Sequence, residues 1–287
     1  MEKLKEGGRQ IAAGGAAGFV EVCLMHPLDV VKTRLQLGPT HFSSLSDVFK
    51  KTYKREGIGG FYKGIFPPIL AETPKRATKF FTFEQYKLLF ASPSIPMSVT
   101  LSFAGLMSGC TEAIVICPFE VVKVRLQSEH SVQLKEQKST WAVAREIIRN
   151  QGLGTNGIYR GLTSTLGRHG VWNMFYFGLY HNLKPLIPTT NQSSDVGYRL
   201  LLGFTAGTIA SVANIPFDVV KSRIQGPQPA SGRKYVGCWQ SIKLVKHEEG
   251  FLALYRGLVP KVMRLGPGGA IMLIIYETVY DFLKKGF

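Results

Sequence analysis

Three acid–base pairs follow three prolines at the same spacing along the chain. In residues 27–32, 118–123 and 216–221, a carboxylate stands two positions after the proline and a lysine stands five positions after it. The acid and the base are three positions apart, so they lie close together on one face of a helix. Such groups at one depth of a helical bundle could form a closed ring of ion pairs. The six residues are Asp29, Lys32, Glu120, Lys123, Asp218 and Lys221.

We expect this ring to close a pore. A proline inside a membrane helix removes one backbone hydrogen bond and kinks the helix, so three kinked helices would converge at the ring. The expected ion pairs are Lys32–Glu120, Lys123–Asp218 and Lys221–Asp29. Glutamines lie one turn further on and are placed to brace these pairs: Gln36, Gln127 and Gln225. The alternative is solvated surface pairs, each worth about 0–1 kcal/mol, and three copies in register within apolar helices disfavour it.

The segments that must position the ring are long and uncharged. The chain of 287 residues carries a formal net charge of +16 and is 45% hydrophobic, which excludes a disordered, charge-rich chain. Its four cysteines exclude a disulfide-stapled secreted domain, and the charged amino terminus predicts no secretory signal peptide. Residues 91–111 and 265–276 carry no charge, and residues 199–217 carry only Arg199. Runs of about 18–20 such residues are long enough to span a membrane, so we predict a membrane protein.

Each proline block belongs to a repeat of about one hundred residues. A Gly-x-x-x-Gly pair, which lets membrane helices pack closely, ends nine positions before each proline: Gly14 and Gly18, Gly105 and Gly109, Gly203 and Gly207. A basic amphipathic stretch, an aromatic-basic-glycine step and a second apolar helix follow each block. The sequence therefore predicts an all-α membrane protein with six transmembrane helices and three short amphipathic helices. The predicted tandem repeats are residues 9–92, 98–188 and 197–285.

The triplicated Pro-x-Asp/Glu-x-x-Lys/Arg block makes the chain resemble the mitochondrial carrier family, and the likeness covers residues 9–285. The resemblance implies a three-fold pseudosymmetric bundle of six helices in the mitochondrial inner membrane, with the short amphipathic helices on the matrix side. It also implies one central substrate site that opens alternately to each side. Such a protein is a multi-pass transporter and not an enzyme. We expect it to be a monomer that uses no cofactor and no metal ion.

The second helix of each repeat fits, in part, a second gate that the family carries on the cytoplasmic side. The family pattern is an aromatic residue, an acid and, three positions after the acid, a base. The first copy has Glu84 and Lys87. In the second copy a histidine replaces the acid before Lys184, and in the third a tyrosine replaces the base after Glu277. We therefore expect one or two ion pairs in this gate, and a gate that opens easily.

Thirteen positions before the acid position of each copy, about 20 Å along a helix, stand Ala71, Arg168 and Arg264, and Glu72 beside Ala71 brings charge to this depth in the first repeat as well. Cations inside a membrane span are costly and are functional candidates by default, and arginine binds carboxylates through paired hydrogen bonds. Cation clusters on opposite walls of a cavity suit a dianion with a carboxylate at each end. The alternative is that some of them pair with Glu21, Glu112 or Glu72 and only hold helices together. The candidate substrate residues are Glu72, Lys75, Lys79, Arg168, His169 and Arg264.

Within the family, an arginine followed by a polar residue in the second repeat resembles carriers of keto acids and carboxylates. This resemblance implies an antiporter for C5–C7 2-oxodicarboxylates such as 2-oxoadipate and 2-oxoglutarate. Two alternatives stay open: a carrier of another di- or tricarboxylate (oxoglutarate/malate or citrate type), and a proton-conducting, uncoupling member of the same fold. A basic soluble nucleic-acid binder would interleave its cations with exposed aromatic residues, whereas the charge here alternates with uncharged runs.

The second helices begin at Gly64, Gly161 and Gly257, each of which follows a basic residue. Helix N-termini with basic neighbours bind anions readily. We therefore expect three cardiolipin phosphates at these places. The partners predicted from the sequence are small dicarboxylates, cardiolipin and inner-membrane lipid, and no nucleic acid.

Overall fold

The computed structural model describes residues 2–38, 42, 44–93, 95–129, 134–186, 192–228 and 232–286. Within these residues the chain forms helices and no strand. Short 3-10 turns cover Ile58–Tyr62, Leu134–Glu136, Lys184–Leu186 and Phe251–Tyr255. The α-helices of the described residues are, in chain order, α1 (Glu2–Gln36), α2 (Leu45–Glu56), α3 (Phe66–Phe90), α4 (Met97–Ser128), α5 (Thr140–Gln151), α6 (Leu162–Leu183), α7 (Gln192–Gln225), α8 (Cys238–Glu249) and α9 (Leu258–Gly286).

The six long helices form a closed bundle. Around it α1, α3, α4, α6, α7 and α9 each pack against the next, and α9 packs against α1. The helices with the proline blocks, α1, α4 and α7, also contact one another, as converging helices do. Each repeat contributes two long helices and the short helix between them. The predicted all-α architecture of six long helices in three repeats is confirmed.

Four stretches of this bundle are long and apolar enough to cross a membrane by length and composition: Ala12–Gln36, Met97–Ser128, Gly197–Gln225 and Phe251–Lys284. The helices α3 and α6 are less apolar. They carry charged residues that line the interior of the bundle, among them Lys75, Lys79 and Arg168. The polar interior therefore weakens the hydropathy signal of these two helices.

The short helices α2, α5 and α8 lie against the proline-containing helices. Each shares a buried apolar cluster with the long helix before it, through the valine pairs Val48 and Val31, Val143 and Val122, and Val245 and Val220. At the start of α2 and α5, the side chains of Ser44 and Ser139 each accept a hydrogen bond from a backbone N–H three residues on, at 3.2 Å. All three helices end at a glycine with a positive φ. These short helices are thereby fixed below the ends of the proline blocks.

The Gly-x-x-x-Gly pairs do not all pack alike. A side chain at Gly109 would lie 2.5 Å from the backbone oxygen of His169, and one at Gly105 would lie 2.7 Å from another backbone oxygen of α6. The helices α4 and α6 therefore approach backbone to backbone, as predicted. A side chain at Gly14 would have no described atom within 4 Å, and one at Gly203 would have its nearest at 3.7 Å. The predicted close packing is wrong at these two glycines; Gly203 instead lines a cavity inside the bundle.

Candidate functional site

The six charged residues of the proline blocks form a closed ring of ion pairs, which we call the gate ring. Each acid is bound by the lysine of the block that follows it in the chain, and the third acid is bound by the first lysine. All three pairs are largely buried. The nitrogen–oxygen distances are 2.7 Å for Lys123–Asp29, 3.3 Å for Lys221–Glu120 and 2.5 Å for Lys32–Asp218.

In the gate ring, each lysine binds the acid of the other neighbouring helix and not the acid that was predicted. The sequence places six groups at one depth of the bundle. It does not determine in which rotational order α1, α4 and α7 stand around the axis, and this order decides which neighbouring acid each lysine reaches. The predicted pairs are therefore wrong: Lys32–Glu120, Lys123–Asp218 and Lys221–Asp29.

Each acid of the gate ring also binds a cation from α6 or α9. The pairs are Asp29 with Arg264 (2.5 Å), Glu120 with Arg168, and Asp218 with Lys261 (3.2 Å). The sequence reasoning missed Lys261. Its position three residues before Arg264, on the same face of α9, is the signal that could have found it. Every ring carboxylate is thus shared by at least two cations from different helices.

The two arginines predicted to bind substrate hold carboxylates of the chain itself. The Arg264 guanidinium binds Glu21 at 2.8 Å in addition to its ring acid. Arg168 lies 3.7 Å from Asp218 in addition to its own ring acid. The alternative considered from the sequence, that a cation pairs with Glu21, is therefore realised by Arg264 in this conformation.

His169 is oriented by a buried carboxylate. Its Nδ1 lies 3.1 Å from Glu112 Oε1, and Asn173 donates a hydrogen bond to the other oxygen of Glu112 at 3.2 Å. His169, Glu112 and Asn173 are all buried. The Nε2 atom is turned towards Arg168 and lies 3.8 Å from Glu120. An imidazole nitrogen therefore stands beside the arginine at the floor of the bundle interior.

The cations of α3 differ in how they are held. Arg76 binds Glu72 at 2.5 Å, and Lys75 lies 3.6 Å from the same carboxylate. Lys79 forms no ion pair with a described residue. Its Nζ lies 4.9 Å from the centre of the Trp172 ring, which is a cation–π contact. Lys79 is therefore a cation inside the bundle whose charge is available to an anion.

A cavity of about 770 Å³ lies inside the bundle. Its lining runs from Asp29, Lys261 and Arg264 at the gate ring to Tyr180 and Arg199 near the other end of the bundle. This volume suits a small organic ligand. A second, smaller cavity of about 140 Å³ lies at the gate ring itself. The ring therefore closes one end of the bundle, and the larger cavity extends towards the other end.

A family model described as "Mitochondrial carrier protein" matches residues 5–94, 97–191 and 192–287. The chain belongs to the mitochondrial carrier family. Similar relatives include the mitochondrial 2-oxodicarboxylate carriers of Bos taurus and Homo sapiens, each 56% identical over 99% of this chain and 97% of the relative. The mitochondrial citrate transporter D of Aspergillus niger is 40% identical over 97% of this chain and 95% of the relative. As a carrier, the chain is a transporter of the mitochondrial inner membrane and not an enzyme.

The three glutamines of this carrier contact groups other than the gate ring. Ser222 donates a hydrogen bond to Gln36 at 2.8 Å, and Gln225 donates one to the backbone oxygen of Arg160 at 3.1 Å. The side-chain nitrogen and oxygen of Gln127 are buried, and neither bonds to a described residue. In this conformation the glutamines do not brace the ion pairs: the partners of Gln36 and Gln225 lie in a neighbouring helix or a connecting segment, and Gln127 has none among the described residues.

The predicted cytoplasmic gate is not assembled in this conformation of the carrier. Lys87 donates a hydrogen bond to Glu84 at 2.6 Å, within α3. Neither Lys184 nor Glu277 forms an ion pair with a described residue. Because the larger cavity lies between the helices towards this end, the gate stays a prediction for the opposite conformation.

The glycines that precede the second helices have a packing role that the sequence reasoning missed. Gly64, Gly161 and Gly257 have φ angles of 64°, 73° and 83°. A side chain at Gly64 would lie 3.2 Å from the backbone oxygen of Lys123, and one at Gly257 would lie 3.3 Å from the side chain of Lys32. The positive φ and the close approach both favour glycine. These turns therefore support lysines of the gate ring from below, whereas their role in lipid binding stays a prediction.

Below the gate ring, the first and third repeats each tie three segments together through one carboxylate, an arrangement that we call the clamp. Glu56, at the end of α2, binds Arg34 of α1 at 2.8 Å and Lys63, before α3, at 2.6 Å. Burial raises the pKa of Glu56, but hydrogen bonds from Arg34 and Lys63 outweigh burial and leave this pKa below its usual value. The clamp residues of the third repeat are Glu249, Arg223 and Arg256.

Proposed function

We propose that this carrier exchanges C5–C7 2-oxodicarboxylates, such as 2-oxoadipate and 2-oxoglutarate, by alternating access. The observation that carries the proposal is that Arg168 and Arg264, from different repeats, each hold a carboxylate at the floor of the central cavity. Two guanidinium groups at one depth suit a dianion with a carboxylate at each end. The names of the bovine and human relatives, at 56% identity, support this substrate class.

Lys79 is the first anchor for an entering dianion. It lines the larger cavity and has no ion-pair partner among the described residues. Lys75 lines the same cavity, and more than a third of its side chain is exposed. Cations along the wall of a narrow cavity raise the local concentration of an anion. A dicarboxylate therefore reaches the floor of the cavity along α3.

At the floor, the substrate carboxylates replace Asp29 and Glu120 as partners of Arg264 and Arg168. Each guanidinium exchanges one carboxylate for another, so no buried cation is left unpaired, a loss that costs several kcal/mol. Each of the two ring acids, however, loses one of its two cations. Substrate binding in this way weakens the gate ring and couples occupancy of the cavity to opening on the ring side.

His169 is the residue that recognises the 2-oxo group in this scheme. The contact of Glu112 with Nδ1 fixes the imidazole, and Nε2 stands beside Arg168. A donor beside the guanidinium suits an oxo oxygen next to a carboxylate. Substrates with that oxygen are thereby distinguished from plain dicarboxylates by one hydrogen bond, which is worth about 0.5–1.5 kcal/mol.

Counter-exchange in proteoliposomes tests the substrate site. Because losing one partner of a desolvated charge pair costs about 2–5 kcal/mol, Arg168→Ala and Arg264→Ala should each lower 2-oxoglutarate exchange at least about 30-fold. Lysine at either position keeps the charge and loses the paired hydrogen bonds, so partial activity with poorer discrimination is expected. The matched control is Arg145→Ala, which removes an exposed arginine of α5 outside the cavity and should leave exchange unchanged.

The same vesicles separate the alternative functions. A panel of external 2-oxoadipate, 2-oxoglutarate, malate and citrate is offered to carrier loaded with 2-oxoglutarate. Preference for citrate or malate supports the other carboxylate carriers, and proton flux without any substrate supports the uncoupling function. Near wild-type exchange by both alanine variants would refute the assignment of Arg168 and Arg264.

Cardiolipin and a monomeric state complete the proposal. The N-termini of α3, α6 and α9 follow Gly64, Gly161 and Gly257, and each glycine follows a basic residue. Backbone N–H groups at such ends, with a cation nearby, favour phosphate groups. The larger cavity is lined by residues of all three repeats of one chain, which supports a monomer as the functional unit.

A further inference from the structure

The clamp differs in the second repeat. In the first and third repeats, the last residue of the short helix is a carboxylate, Glu56 or Glu249, and it binds two cations. The residue at this position of the second repeat is Gln151, at the end of α5. An amide carries no charge and cannot neutralise two guanidinium groups. The second repeat therefore keeps the cations of the clamp and lacks its acid.

These cations are Arg125 of α4 and Arg160, just before α6. Arg160 is only 7% exposed, and its Nη2 is buried with no hydrogen-bond partner among the described residues. Arg125 forms no ion pair with a described residue. Arg233, which is held by the side chain and the backbone oxygen of Asn156 at 2.8 and 3.0 Å, adds a third guanidinium. Burial, and then repulsion from Arg233 and Arg125, lower the pKa of Arg160 to about 10.

We propose that the second repeat binds an oxyanion from outside the chain, a phosphate group or a carboxylate, between Arg125 and Arg160. The oxyanion takes the place that the carboxylates of Glu56 and Glu249 take in the other two repeats. A buried guanidinium without a partner is costly, and its planar fork matches two oxygens of a phosphate or carboxylate. Neither Arg125 nor Arg160 lines the central cavity, so this site is separate from the transport site.

Occupancy of this site completes the clamp of the second repeat. In the other repeats the clamp joins a proline-containing helix to the short helix and to the turn before the second helix. The oxyanion in the same way ties α4 to the turn that contains Arg160. Because Gly161 in that turn packs on Ile224 and Gln225 of α7, the ligand stabilises the contact between the second and third repeats. The source of the oxyanion is either free phosphate or a phospholipid headgroup.

Thermal unfolding of the full-length carrier in detergent tests the site. Sodium phosphate is compared with sodium chloride at equal ionic strength. The melting temperature of the wild type should rise by about 2–4 °C in phosphate. Gln151→Glu supplies the missing carboxylate, so this variant should melt higher than the wild type in chloride and should not respond to phosphate. Glu56→Gln is the matched control, because it creates the same acid-free cluster in the first repeat and should gain a phosphate response.

Cardiolipin added to delipidated protein without phosphate distinguishes the two sources. A headgroup in the site stabilises the wild type more than Gln151→Glu and removes the phosphate response. Free phosphate as the ligand leaves the cardiolipin effect equal in the two proteins and keeps the phosphate response of the wild type. Arg160→Gln provides a second variant and should abolish the response to either ligand. Equal responses of wild type and Gln151→Glu to both ligands, or a lower melting temperature of Gln151→Glu in chloride, would overturn the proposal.

Discussion

Asp218 shows, at the scale of single residues, how the gate ring is built. Its carboxylate binds Lys32 at 2.5 Å and Lys261 at 3.2 Å, and it is almost fully buried. A buried acid with two cations is well compensated, and removal of one cation leaves it partly paired. This shared pairing allows a substrate to take one cation of a ring acid without leaving that acid isolated. We therefore expect the gate ring to weaken in steps and not all at once.

Charge reversal at Asp218 tests which lysine of the gate ring this acid binds. Asp218→Lys should stop 2-oxoglutarate exchange, because it places like charges together at the constriction. Adding Lys32→Asp restores an opposite-charge pair and should recover part of the exchange; the recovery is partial because Lys261 still faces the new lysine. The matched control adds Lys123→Asp; because Lys123 binds Asp29 and not Asp218 in the structure, this change should recover nothing. Equal or better rescue by Lys123→Asp would contradict the pairing seen in the structure.

At the scale of the helices, the distance of closest approach at the Gly-x-x-x-Gly pairs differs among the three repeats. The backbones of α4 and α6 are in contact through Gly105 and Gly109, and the α6 residues that they approach include His169. The first and third repeats have open space or a cavity at Gly14 and Gly203. The second repeat is therefore the side of the bundle where the two long helices approach each other backbone to backbone, and the position of the Arg168 and His169 pair depends on this contact.

Alanine substitution measures this difference between helices. In Gly109→Ala the new methyl group would lie 2.5 Å from a backbone oxygen of α6, so α6 must move. Overpacking of this kind costs about 1–3 kcal/mol, and a lower melting temperature with slower exchange is expected. Gly14→Ala meets no described atom within 4 Å and should be neutral or stabilising, since alanine is favoured over glycine inside a helix by about 0.5–1 kcal/mol. Equal melting of the two variants would argue against the close contact of α4 and α6.

Much of the molecule could be predicted from the sequence, because the fold is a repeat. Three registered prolines place Asp29, Glu120 and Asp218 at one depth, and the same register predicts which residues can meet. The pairing could not be predicted, since it depends on the rotational order of α1, α4 and α7. The second cation of each ring acid was missed for a related reason: Arg264 and Asp29 are far apart in the sequence, and only the packed bundle shows that they touch.

At the scale of the whole molecule, the two ends of the bundle carry unequal sets of charges for closing it. The gate ring has three ion pairs, and each of its acids has a second cation. The cytoplasmic gate has a histidine in place of one acid and a tyrosine in place of one base. We therefore expect the conformation with the gate ring closed to be favoured over the opposite one.

Completing the cytoplasmic gate should shift this balance. His181→Glu with Tyr280→Lys restores the missing acid and base. Each exposed pair contributes up to about 1 kcal/mol, so closure at this end should be favoured about two- to fivefold more per added pair. The measurement is the rate at which a membrane-impermeant thiol reagent labels a cysteine introduced at Ala270, which lines the larger cavity, in the parent protein and in each variant. Labelling of the same proteins without that cysteine is subtracted as background. Labelling from the cytoplasmic side should slow, and exchange should slow with it if reopening of this gate limits turnover.

His181→Gln with Tyr280→Phe changes the same positions without adding charge and should label at the parent rate. If the charged variant also labels at the parent rate, these positions do not form a gate.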